Sequence, residues 1–145
     1  MKLKCKIING LKIYEIPSRL INEMFEVAIK AATNTFPTPN KVSCAVLTKN
    51  GNIYPGAEYR ADILTLSMHA EATALSHSAI HGDPEIIAIT GPNCHACKQL
   101  LWENAMHFGN DIIILIKKDG KVDRVPLSSM MSYAWPENRW ENKGA

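Results

Sequence analysis

The sequence predicts an α/β domain, a mixed sheet of about five strands with helices covering its faces. Three observations carry this. Apolar residues recur at helical spacing from Leu20 to Ala31, strand-like apolar runs follow, and Asn-Gly or Asp-Gly turns join strands in pairs. After an N-terminal hairpin the order reads α-β-β-α-β-α-β-β. The later strands are continuous apolar runs, as strands buried on both faces are.

Residues 2–16 read as two short strands joined at Asn9-Gly10, a strong hairpin turn. Lys2, Lys4 and Lys6 alternate there with Leu3, Cys5 and Ile7, giving one wet face and one apolar face. Ser18, after Pro17, is a candidate N-cap. Leu20, Ile21, Met24, Phe25, Ala28 and Ala31 mark a helix to about Thr33, which Phe36-Pro37-Thr38-Pro39 breaks. Residues 42–48 form a strand, Asn50-Gly51 turns it, and 52–55 pair back. Residues 56–67 are expected as a loop crossing the top of the sheet. A helix over 68–80 is closed by Gly82. A buried strand over 85–90 leads through the Gly91-Pro92-Asn93 turn into a helix over 94–108, closed by Gly109. Residues 111–116 are a second buried strand, which Lys118-Asp119-Gly120 turns into 121–126. A short last helix from Leu127 leads to Tyr133-Ala134-Trp135-Pro136 and a polar tail.

At 145 residues the chain is read as one domain, 1–145, with 1–16 as a hairpin extension. Its 46% hydrophobic and 21% charged content excludes a disordered tail. Sixteen basic against 14 acidic residues, with no basic stripe interleaved by aromatics, give no reason to expect nucleic acid as a partner. No apolar run approaches the roughly 20 residues of a membrane span. The opening residues lack the features of a signal peptide. Four cysteines, unevenly placed, do not make a disulfide framework. A reducing, cytoplasmic location is therefore expected.

The chemistry concentrates in His69-Ala70-Glu71 and Cys94-His95-Ala96-Cys97. Cys94 and Cys97, at i and i+3 where a helix begins, share a face, and the helix N-terminus favours thiolate over thiol. His69 also stands at a helix start. Two such termini converging over one sheet edge present three ligands and leave a fourth position open, the arrangement of catalytic zinc. Glu71 is then placed to carry protons without binding the metal. Two lesser alternatives stand beside this: Cys94 and Cys97 as a redox pair with His69 a surface residue, or a closed structural site with His95 as fourth ligand. His77, His81 and His107 read as helix-surface residues, and Cys5 and Cys44 as small buried groups.

These motifs resemble the cytidine deaminase family, which includes blasticidin S deaminases, and the resemblance covers about residues 23–135. His69-Ala70-Glu71-Ala72-Thr73-Ala74 is similar to the family's first ligand motif. Cys94-His95-Ala96-Cys97-Lys98-Gln99 is similar to its Cys-x-x-Cys-Arg-Gln helix, with Glu103 further along. Lys41 to Leu47 resembles its first strand, and Met130-Met131-Ser132-Tyr133-Ala134-Trp135 its closing segment, with Ser132 in place of proline. The resemblance implies a three-layer α-β-α fold and a zinc-dependent (Zn2+) hydrolytic deaminase of nucleoside metabolism and pyrimidine salvage. The metal would be held by His69, Cys94 and Cys97. Glu71 would protonate the ring nitrogen and then the departing ammonia. The backbone N–H of Ala70 would hold the ring carbonyl oxygen, and a backbone carbonyl within Gly91, Pro92 and Asn93 would receive the leaving amine. The family further implies a homo-oligomer, a tetramer or a dimer, in which Trp135, or else Trp140, enters a neighbour's site.

The chain departs from the family's pattern in informative places. Short members often use three cysteines and an arginine after the glutamate. Here His69 replaces the first cysteine and Ala72 the arginine, and one neutral histidine with two thiolates balances Zn2+ unaided. The other departures fall on substrate recognition. Asn93 intervenes between Pro92 and Cys94. In the stretch resembling the ribose-binding Gly-x-Asn-x-Glu, Glu58 stands for asparagine and Arg60 for glutamate. Asn40 falls near the base-stacking phenylalanine, although Phe36 lies in the same loop. An arginine offers no acceptor to a ribose hydroxyl. Arg60 either receives an anionic group, such as the phosphate of a nucleotide, or pairs with Glu58 on the surface. The substrate is read as cytidine, deoxycytidine, a modified cytosine nucleoside or a related aminated heterocycle. A nucleotide deaminase and a non-catalytic zinc-binding protein are the alternatives.

Overall fold

A computed structural model describes residues 2–136. Its centre is a five-stranded mixed sheet with strand order β4-β3-β5-β6-β7. The strands are β3 (Ser43–Thr48), β4 (Ile53–Ala57), β5 (Ile86–Thr90), β6 (Ile113–Lys118) and β7 (Lys121–Pro126). A separate two-stranded hairpin is formed by β1 (Cys5–Ile8) and β2 (Leu11–Tyr14). Among the described strands, β5 and β6 pair in parallel, joined by the crossover helix α3 (His95–Phe108), and the other pairs are antiparallel. The remaining helices are α1 (Ser18–Ala31) and α2 (Ala70–Ile80). The expected α/β class and five-stranded sheet are both present.

Alternation along the strands sorts the core into two layers. Cys44, Val46, Ile89 and Ile114 share a cluster with Ala70 and Ala74 of α2 and with Leu101, Trp102 and Ala105 of α3. Ala45, Leu47, Ile87, Ile113 and Leu115 meet Leu20, Ile21, Met24 and Ala28 of α1. Each fully buried aliphatic side chain contributes about 1.5–3 kcal/mol of transfer free energy, so both helical layers are held chiefly by apolar burial. The register between β3 and β5 shifts at Leu47/Thr48.

The hairpin docks through β2. Lys12 donates its N–H to Gly109 O and accepts at its carbonyl from Asp111 N–H, both at 2.9 Å. Leu3 and Ile16 enter the α1 layer, and Tyr14 Oη donates to Glu85 at 3.2 Å. Burial first, then the Glu85 charge, pushes the Tyr14 hydroxyl up to about 12. The outer strand β1 has no second neighbour among the described residues and is exposed on both sides. This corrects the expected apolar face there. Leu3 is buried, but Cys5 and Ile7 are exposed because no described residue covers the outer strand. At α1, Pro17 rather than Ser18 is the N-cap; Ser18 is the first helical residue, and no side chain caps the helix.

Two features hold α2 and so position the site. At its start, Gly56 of β4 is so close that an added Cβ would lie 2.1 Å from Ala70 O and 2.6 Å from Ala74 Cβ. Thr73 Oγ1 closes the seam, accepting from Ala57 N–H at 3.0 Å and lying 2.9 Å from Ala57 O and 2.8 Å from Ala70 O. Strand β4 thus runs on through Gly56 and Ala57, which the sequence placed in a loop. Beyond the far end of α2, buried Asp83 accepts from Thr48 (2.6 Å), Asn50 (2.9 Å), Asn52 (2.8 Å) and Tyr54 (3.4 Å). Burial alone would raise the Asp83 carboxyl, but these donors outweigh it and hold it below its ordinary value.

Gly56→Ala is expected to destabilise the protein by about 1–3 kcal/mol in urea unfolding, because the clash is with backbone that cannot swing aside. Asp83→Asn is expected to cost about 2 kcal/mol at neutral pH, the contribution of hydrogen bonds to a charged group. Since the folded carboxyl titrates below 3.8, its contribution is present above that value. It is lost as pH falls through the folded value. Unfolding curves of variant and wild type should converge in that acid window.

Candidate metal centre and active site

The centre lies where the N-termini of α2 and α3 meet beside the end of β5. His69 is the N-cap of α2 and Cys94 the N-cap of α3, both in extended conformation. Their side chains therefore leave the helix axes and turn toward one another. His69 Nδ1 lies 3.2 Å from Cys97 Sγ and 3.5 Å from Cys94 Sγ. The ligand atoms of His69, Cys94 and Cys97 all lie within 4.8 Å of one another. A tetrahedral zinc ion with ordinary Zn–N and Zn–S bonds has nitrogen and sulfur ligands about 3.6 Å apart. The donor set and its spacing fit the ion.

His95 is exposed and stands outside this group, which leaves the closed four-ligand site without its fourth member among the described residues. Convergence of His69 on both sulfurs also favours the metal reading over a simple dithiol pair. His77 Nδ1 rests 3.1 Å from Pro55 O and His81 Nδ1 2.8 Å from His77 O, while His107 is exposed on α3.

Cys97 N–H points to Cys94 Sγ at 3.4 Å, so the first cysteine caps the helix. The second sulfur behaves differently. Burial first, then the charge of Glu71 and the Cys94 sulfur, raises the Cys97 thiol above its usual range. The helix N-terminus was expected to favour thiolate at both positions; at Cys97, burial and a neighbouring carboxylate outweigh it. A coordinated dication reverses this balance, because it deprotonates the thiols it binds.

Glu71 is buried, with only 8% of its surface exposed. Asn93 Nδ2 donates to its Oε2 at 3.0 Å and also approaches Thr90 O at 3.4 Å. A hydrogen bond to a charged group contributes about 1.5–3 kcal/mol, which offsets part of the cost of burying the carboxylate. Cys44, buried in β3, also feels Glu71: burial first, then that charge, raises its thiol. The sequence marked Asn93 as a substrate position, but the contact of its side chain with Glu71 was not legible. Thr73, which pins the first turn of α2, stood inside a quoted motif without a role.

Part of the wall expected to meet a substrate comes from three segments laced side by side. Phe36 N–H donates to Glu58 O and Arg60 N–H to Phe36 O, while Tyr59 and Met68 exchange backbone hydrogen bonds. This lacing brings Phe36 and residues 58–60 alongside Met68, one residue before His69. Arg60 pairs with Glu58: Nε at 2.9 Å and Nη2 at 2.7 Å both reach Oε1. Asn40 Nδ2 donates to the same oxygen at 3.0 Å. The pairing alternative is therefore the observed one. Phe36 stacks on Tyr59 with ring centroids 4.7 Å apart. Ala70 is buried at the first position of α2, where backbone N–H groups lack intrahelical acceptors. Gly91 N–H donates to Leu115 O at 2.8 Å, and Pro92 is exposed. The Trp135 side chain is exposed, while its carbonyl accepts from Gln99 Nε2 and that of Pro136 from Trp102 Nε1, each at 2.7 Å. Trp140 lies outside the described residues.

Comparison with known proteins places this architecture. The fold is that of solved cytidine deaminases. A mutant cytidine deaminase from Mycobacterium tuberculosis superposes with a TM-score of 0.66 at 19% identity, covering 83% of this chain and 99% of that one. Cytidine deaminase from Burkholderia pseudomallei gives 0.65 at 21%, covering 79% and 98%. In sequence, the chain is 32% identical over 95 residues to a cytidine deaminase from Shewanella woodyi. That match takes in 62% of this chain and spans 30% of the length of the curated relative. No family model matches. The chain thus resembles cytidine deaminases in both sequence and fold. Among the described residues, no helix is long and apolar enough to cross a membrane.

A thiol reagent applied to the metal-free protein is expected to modify exposed Cys5 and Cys94 before buried Cys44 and Cys97. Time-resolved mass spectrometry of the alkylated peptides reads the order directly.

Proposed function

We propose that this chain is a zinc-dependent hydrolytic deaminase of cytidine, deoxycytidine or a closely related aminated cytosine nucleoside. The observation that carries the reading is the convergence of His69, Cys94 and Cys97 beside a buried Glu71, in a fold shared with cytidine deaminases. His69, Cys94 and Cys97 would hold the ion. When bound, Zn2+ supplies the Lewis acidity that brings the pKa of water to about 7.

The chain's own groups do the rest. Glu71 accepts a proton from the attacking water and gives it to the ring nitrogen. It then takes the proton of the hydroxyl newly added to the carbon and delivers it to the exocyclic amine. The new C–O bond replaces the C–N bond, and ammonia leaves. Ala70 N–H, at the start of α2, is the donor assigned to the ring carbonyl. A carbonyl within Gly91 to Asn93 is the acceptor assigned to the amine. Burial of Glu71 supports the role, since a water-excluded carboxylate transfers protons to substrate rather than exchanging them with solvent.

Arg60 is engaged by Glu58, which weakens the case for a phosphate-bearing substrate and leaves the nucleoside reading in front. Phe36, Asn40, Glu58 and Arg60 are assigned to the wall that receives the sugar and base. A homo-oligomer, tetramer or dimer, belongs to the same reading. Exposed Ile63, Leu64, Leu66 and Met68, in the segment leading to His69, support it, with Trp135 the residue offered to a neighbour. The expected setting is the cytoplasm, where thiols stay reduced.

Glu71→Gln is expected to retain one zinc per chain and to lose at least about 10³-fold in kcat on cytidine, measured by ammonia release beside metal analysis. A catalytic proton carrier is asked to supply that much or more. Unchanged turnover would overturn the assignment of Glu71. Absence of stoichiometric zinc from wild-type protein would overturn the centre itself.

A further inference from the structure

We propose that Asn93 is a positioning residue for this reaction, holding the Glu71 carboxylate through Oε2 so that the other oxygen is left for proton transfer. The inference rests on the reading of Glu71 as proton carrier given above. Its basis is an imbalance at Asn93. The residue is 8% exposed, and its Nδ2 reaches both Glu71 Oε2 and Thr90 O, while its Oδ1 is buried with no hydrogen-bond partner. A buried amide normally turns to satisfy its oxygen. Turning this one would set Asn93 Oδ1 against Thr90 O, a carbonyl with no proton to give, and withdraw the donor from Glu71 Oε2. The amide therefore keeps the orientation that serves Glu71 at its own oxygen's expense, a conflict expected at functional sites rather than in a packing residue.

Position adds to the argument. Asn93 directly precedes Cys94, so the same turn that places the first sulfur also places the amide. A contact to Thr90 O ties that turn to the end of β5. Glu71, arriving from α2, is thereby fixed relative to sulfurs arriving on α3. Gly91 leaves room for the amide: an added Cβ there would lie 2.7 Å from Ile114 Cγ2 and 3.1 Å from Asn93 Oδ1. The donor is a neutral amide, which orients a carboxylate without forming an ion pair with it.

The test has two arms on the zinc-loaded full chain. In the first, hydrogen exchange of the Asn93 side-chain amide is followed by NMR. Slow exchange in wild type, at least tenfold faster in Glu71→Ala, is expected. Exchange as fast as in an exposed asparagine in wild type would overturn the proposal, whether or not any substrate is turned over. In the second arm, cytidine turnover is compared for Asn93→Ala and Asn93→Asp, with zinc content and thermal melting as controls. Asn93→Ala is expected to lower kcat ten- to a hundredfold with KM within threefold. Asn93→Asp, equal in size but presenting an acceptor to Glu71, should lose more. A packing role would make the isosteric aspartate the milder change, so an aspartate variant at least as active as the alanine variant overturns the proposal. Wild type inert toward cytidine sinks the substrate assignment instead, and the exchange arm still decides the contact.

Discussion

The close approach of α2 to β4 at Gly56 is the constraint on which the rest depends. With a backbone carbonyl 2.1 Å from where a Cβ would stand, only glycine allows the first turn of α2 to lie flat against the strand. Thr73 then seals that contact to Ala57, and the Asp83 cluster holds the loop beyond the other end. A helix anchored at both ends delivers His69 and Glu71 to a defined place at the sheet edge. Without that anchoring, the sulfurs on α3 would face a histidine free to wander, and a site misplaced by about 1 Å can lose 10²-fold in rate.

The electrostatics of the centre follow from this geometry. Glu71 is buried among groups that carry no positive charge: the Asn93 amide and the thiols of Cys44 and Cys97. The carboxylate raises both thiols, and the neutral amide only orients it. His69, Cys94 and Cys97 form a group that could hold a metal ion, and a dication bound there would offset the rise that burial and Glu71 impose on the Cys97 thiol. The replacement of an expected arginine by Ala72 is consistent with this, because a neutral histidine and two thiolates already balance the ion.

Much of this was legible beforehand. Turn signals at Asn9-Gly10 and Asn50-Gly51, the apolar period of α1 and the buried runs of β5 and β6 are local, so they survive into the structure. The grouping of His69, Cys94 and Cys97 was legible because residue types able to bind metal are rare and stand here in short, fixed spacings. Less legible was whatever needed a neighbour distant in sequence. The exposure of Cys5 and Ile7 follows from β1 having no second strand beside it among the described residues, which its alternating pattern does not reveal. The N-cap of α1 moved from Ser18 to Pro17, a boundary shift that periodicity cannot resolve.

By itself, then, the sequence determined the α/β class, the resemblance to cytidine deaminases and the residues able to bind metal, because these depend on residue type and local spacing. Tertiary structure alone decided that Asn93 turns to Glu71, that Arg60 and Asn40 close on Glu58, and that the hairpin docks through Lys12. Each of these is a polar contact between separate segments. A polar side chain accepts many partners, so only the packing of the surrounding helices and strands selects one.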